Sequence, residues 1–182
     1  MPGCARISGS LHMTIHTAAL IDTLKDLSSD LRLCYCNIFS TQEHILAIIK
    51  QNETDAVFSC KGESLKEYWN CILNTLIYLE NDGKGHRPDL IVDDGGGMNL
   101  QIHYGKKAED FYLKDGTIHE LISTDNADFK IFQTTIKRQL EDGETDKWNK
   151  IVNTCIGVYE ETSTGVHHLY TMDKTGTKHQ EW

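Results

Sequence analysis

Short apolar runs alternate along this chain with segments whose apolar residues lie three and four apart, and polar or glycine-bearing turns join one to the next. Continuous or period-two runs read as strands and three-four spacing as helices, so the pattern is a succession of β-α units. Residues 5–7 form the first strand, 8–10 its turn and 14–27 its helix, with Ile15, Ala18, Ala19 and Ile21 on one side. The second strand, 31–36, leads into 37–40, where Ser40 or Thr41 can cap a helix carrying Ile45, Leu46, Ile48 and Ile49. Residues 56–59 and a helix over 64–79 make the third unit, and 89–92 the fourth strand.

Between residues 104 and 146 charge rises and strand patterning stops. This stretch reads as a mostly helical insertion whose clearest element is 128–140, either a solvated surface excursion or a helix offering its apolar face to a partner. An apolar strand over 151–158 then enters a polar loop, 160–164, and a helix over 166–172. The expected fold is α/β, a three-layer Rossmann-like or flavodoxin-like parallel sheet with helices on both faces, in one domain.

Composition narrows the partners. A chain of 182 residues with 39% hydrophobic residues can bury one sizeable core. Its formal charge of −9 repels phosphate backbones and anionic lipid, so no nucleic acid or membrane partner is expected and a small molecule fits better. Apolar runs such as 45–49 fall far short of the ~20 residues of a membrane span, and the first residues form no hydrophobic signal core. A soluble, cytoplasmic chain is expected. The six cysteines form no CxxC pair and read as free thiols in a reducing compartment; Cys34 and Cys36 share one strand face.

In an open parallel sheet, ligands bind beyond the carboxyl ends of the strands. Those ends carry residues 8–12, 36–42, 93–97 and 160–164, four polar loops converging on one rim. His12 and His16, four apart, could share a metal, but Met13 stands where a zinc protease has glutamate and spacing supplies no third ligand, so no metal is expected. His12 reads as a proton-transfer residue or as a solvated histidine at a helix start. Asp93 and Asp94 before three glycines read as a loop admitting a ligand to the backbone, or as an acidic turn. Glu160 and Glu161, before Thr162, Ser163 and Thr164, read as paired acids sharing a proton, or as a helix-capping run. There is no GxSxG, GxxxxGK[ST] or GxGxxG.

In order, GSLHMTIHTAALIDTL, CNIFSTQEH, KGESLKEYWNC, DLIVDDGG and GVYEETSTGVHHLY resemble the successive motifs of S-adenosylhomocysteine hydrolases, the adenosylhomocysteinases. That resemblance implies reversible hydrolysis of S-adenosyl-L-homocysteine to adenosine and L-homocysteine. NAD would transiently oxidise the ribose C3′, acidifying the C4′ hydrogen so that homocysteine can leave. It also implies that His12, Asp94 and Glu161 stand at the reaction centre, that Thr14, His16, Cys36, Asn37, Ser40 and Gln42 contact substrate, and that Thr162, Ser163 and Thr164 reach the cofactor. Three departures stand out: His16 where the family has glutamine or glutamate, Gly97 and Asn99 after the DDGG run, and Ser163 for threonine.

By the same resemblance, residues 1–182 correspond to a substrate-binding domain, with the insertion over about 104–146, and the NAD-binding domain is absent. The chain is therefore expected to be inactive alone and to associate with itself or with a full-length hydrolase. The alternative is a non-catalytic adenosine-binding or interaction protein.

Overall fold

The computed structural model describes residues 4–38, 57–59, 62–79, 85–118, 125–143 and 145–174. In chain order these form β1 (Arg6–Leu11), α1 (Ile15–Asp26), β2 (Asp30–Tyr35), α2 (Leu65–Thr75), β3 (Tyr78–Leu79), β4 (Gly85–His86), β5 (Leu90–Asp93), α3 (Gly97–Asp115), α4 (Ala127–Glu141), α5 (Lys147–Thr154), β6 (Gly157–Glu160) and α6 (Ser163–Lys174). The main sheet is parallel throughout, in the order β2-β1-β5-β6. Val57 makes a parallel bridge to Leu33 on the free side of β2, where the third strand was expected. β3 and β4 form a separate antiparallel pair.

Strand side chains alternate between two apolar layers. Ile7, Leu31, Leu33 and Tyr35 pack with Ile21 of α1 on one face. On the other, Cys34 and Ile91 meet Ile72 of α2, Met98 and Ile102 of α3, and Trp148 and Ile151 of α5. Helices thus cover both faces, as a parallel sheet requires.

Three local expectations are corrected. Residues 8–10 are the buried middle of β1 rather than a turn: Ser8 and Ser10 are fully buried, and Ser8 Oγ donates to the Thr75 carbonyl at 2.6 Å. Gly9 is needed there for proximity, since a Cβ would lie 2.6 Å from Leu33 Cδ2. Residues 151–158 divide into the end of α5 and the short β6. The helix wins because Trp148 and Ile151 lie three apart on one buried face, where the indole packs on Gly105; a Cβ at Gly105 would meet it at 2.3 Å.

The third correction concerns the insertion. α3 runs unbroken from Gly97 through Tyr104 to Asp115, and α4 buries Phe132, Ile136 and Leu140 against Tyr104 and Ala108. The apolar side of α4 is therefore occupied within the chain. The helix expected around residues 45–49, with its cap at Ser40 or Thr41, lies outside the described residues. Among the described residues no helix is long and apolar enough to cross a membrane.

Candidate functional site

Each of the four parallel strands delivers a chemically active side chain at the first residue past its carboxyl end: Cys36 after β2, His12 after β1, Asp94 after β5 and Glu161 after β6. In-register pairing of Leu11 with Tyr35, and of Asp93 with Ser10 and Glu160, sets the four side by side along the rim. His12, Thr14, His16, Asp94 and Glu161 line one cavity of about 360 Å³, walled by Leu11, Thr17 and Leu20.

Turn chemistry fixes the histidine end of this cavity. The His12 carbonyl accepts from Thr14 N at 2.9 Å and from Thr17 Oγ1 at 2.5 Å. Thr14 is the N-cap of α1, accepting from Thr17 N. The cap places Thr14 and His16 within one turn of His12, facing the same space.

Asp94 is the floor, only 8% exposed. One of its oxygens, Oδ2, lies 3.5 Å from His12 Nε2 and accepts the Cys36 thiol at 3.6 Å. Burial and the adjacent Asp94 carboxylate push the Cys36 thiol well up, so it is a neutral donor here. Tyr68, from α2, donates to the Cys36 carbonyl at 3.1 Å and steadies that loop.

The two acidic pairs read from the sequence each divide into one outward and one inward residue. Asp93, fully buried, accepts from Asn99 N at 2.9 Å and Asn99 Nδ2 at 3.0 Å through one oxygen, and from Asp94 N at 3.1 Å through the other. Burial pushes it up to about 7, against those hydrogen bonds. Asn99, one of the departures from the family pattern, is thus the residue that anchors α3 to β5. Glu160 likewise turns inward: its Oε1 accepts from Gly95 N at 2.9 Å, Thr162 N at 3.0 Å and Thr162 Oγ1 at 2.9 Å.

Thr162 therefore spends its hydroxyl on this corner, also accepting from Gly95 N and Gly165 N. Ser163 and Thr164 stand exposed in the first turn of α6, where they could hold a cofactor, while the Thr162 hydroxyl is engaged within this corner. Asn37 is exposed beside Cys36, and Ser40 and Gln42 lie outside the described residues. Residue spacing did not single out Asp93, Glu160 or Tyr68 for these supporting roles. Period-two alternation at the strand ends was the available signal for the two acids.

A doubly covered parallel sheet with a polar cavity at the carboxyl edge defines an α/β protein built around a small-molecule site. The S-adenosyl-L-homocysteine hydrolase family model matches residues 3–180, and the chain belongs to that family. It is 50% identical over 173 residues to the adenosylhomocysteinase of Triticum aestivum, covering 95% of this chain and 34% of the relative. To the adenosylhomocysteinase of Solanum lycopersicum it is 48% identical over 175 residues, with the same coverage. The chain spans about a third of the length of these curated relatives.

Proposed function

We propose that this chain binds the adenosine portion of S-adenosyl-L-homocysteine and contributes the substrate side of its reversible hydrolysis to adenosine and L-homocysteine. The observation that carries the reading is the cavity in which His12, Asp94 and Glu161 meet, each presented by a different strand end. Residues 1–182 act as a substrate-binding domain in this reading, with the helices between 104 and 146 part of its body.

Glu161, solvent-accessible at the cavity edge, accepts hydrogen bonds from the ribose hydroxyls. Thr14 and His16 meet the base, where an imidazole replaces the amide or carboxylate of the family pattern. Asp94 and His12, coupled through Oδ2 and Nε2, move protons at the ribose carbon and the departing sulfur; desolvation of Asp94 strengthens that coupling. NAD, when bound, supplies the reversible removal of a hydride from C3′. Ser163 and Thr164 would touch it.

The departures at His16 and Gly97 favour a second reading: the chain binds nucleoside without turnover and works beside a hydrolase copy that holds the cofactor. Calorimetric titration with adenosine tests the first reading. One-to-one binding, abolished in His12→Ala and Asp94→Asn, is expected; no heat with the unaltered chain would overturn it. Homocysteine release by the chain with added NAD would overturn the second.

A further inference from the structure

We propose that His12, Cys36 and Asp94 form a three-ligand site for a thiophilic divalent cation of the zinc class, its fourth position open to the cavity. One imidazole nitrogen, one sulfur and one carboxylate oxygen all lie within 4.8 Å of one another. The separations are 3.5 Å from His12 Nε2 to Asp94 Oδ2 and 3.6 Å from Cys36 Sγ to the same oxygen.

Those distances are the edges of a coordination tetrahedron. Bonds of about 2.3 Å to sulfur and about 2.0–2.1 Å to nitrogen and oxygen give tetrahedral edges of about 3.5 Å for S···O and about 3.3 Å for N···O. The two edges that meet at Asp94 Oδ2 are thus within a few tenths of an ångström of ligand geometry, and the third, between His12 and Cys36, lies within 4.8 Å and closes by rotation of two half-buried side chains about a buried carboxylate. Spacing along the chain pointed to His16 as the second ligand and found no third. The fold supplies the other two from neighbouring strand ends instead, and His16 is outside the cluster.

The mixed N, S and O set selects the metal. Magnesium and calcium want all-oxygen shells, whereas zinc, cadmium and cobalt(II) accept imidazole and thiolate together. Binding breaks the Cys36 S–H bond and forms a metal–sulfur bond; the proton leaves to buffer, and Asp94 coordinates as carboxylate. Glu161 lines the same cavity and adds negative field. A bound cation ties up His12 and Asp94, so the site would be inhibitory to any chemistry those residues perform, and adenosine plays no part in testing whether it exists.

Cobalt(II) titrated into the chelator-treated 182-residue chain is the probe. A saturable one-to-one complex with a thiolate-to-cobalt charge-transfer band is expected, lost in Cys36→Ser and kept in Cys71→Ala, whose thiol donates to Glu63 at 3.6 Å and is not part of the cluster. His12→Ala, which leaves the thiol in place, should weaken zinc binding at least about tenfold by competition with the chromophore. A band unchanged in Cys36→Ser, zinc affinity unchanged in His12→Ala, or no saturable binding would each overturn the proposal.

Discussion

Gly165 and Glu160 touch through the absence of a side chain: a Cβ on Gly165 would lie 2.1 Å from the Glu160 carboxyl carbon. That carboxylate is held by Gly95 N and by Thr162, so it cannot swing away without releasing them. Gly165→Ala should destabilise the chain by about 2 kcal/mol, and by less than half of that in a Glu160→Ala background. Urea unfolding of the four members of this cycle measures the coupling; strict additivity would contradict the contact.

A second close approach links Gly97 to Tyr68, whose Oη would lie 2.8 Å from an added Cβ. Gly97→Ala should cost about 1–3 kcal/mol. Tyr68→Phe removes the clashing atom, leaving the next neighbours at 3.7 Å and beyond, so the double variant should recover much of the loss. Equal destabilisation by Gly97→Ala in both backgrounds would show the hydroxyl is not the obstacle.

Asp93 gives the chain a pH signature. Its folded value of about 7 lies above the ordinary 3.8, so the folded state keeps a proton that the unfolded chain releases. The contribution is complete below about pH 4 and is lost as pH rises to about 7, at no more than about 1.4 kcal/mol per unit. Stability relative to Asp93→Asn should therefore fall across that window and level off above it. Denaturant midpoints of both proteins from pH 5 to 8 check this; parallel curves would refute it.

Glu109 caps a helix that is not its own. Buried in α3, it accepts from Trp148 N at 3.1 Å and from Asn149 N at 2.7 Å, at the start of α5, whose N-cap Asp146 makes no side-chain cap bond. Glu109→Ala should cost about 3 kcal/mol by leaving those donors unanswered, and Glu109→Gln noticeably less. Thermal unfolding of both variants decides; equal losses would point to packing rather than capping.

The β-α order was legible because strand and helix periods differ, and the rim followed from strand direction alone. His12, Asp94 and Glu161 fell within the rim loops read from strand direction, and the family resemblance picked them out from their neighbours. Ser8, Gly9 and Ser10 misled because small polar residues usually mark turns, whereas here they let α2 and β2 approach β1 closely. The stretch from Ile151 to Val158 misled for the opposite reason: its β-branched residues suit a strand, but tertiary burial of Ile151 together with Trp148 fixes a helix through Thr154 first. Cys36 meeting Asp94, and Glu109 meeting α5, join residues far apart in the chain, which no local pattern encodes.

Gly95 donates its N–H to Glu160 and Thr162, and its carbonyl lies 3.2 Å from His168 Nδ1. The backbone beside Asp94 is therefore tethered at both of its polar groups to the following crossover. Anyone transplanting this pocket onto another parallel-sheet scaffold would have to carry β6 and the first two turns of α6 along with it, because the acid's position belongs to two adjacent units and to neither alone.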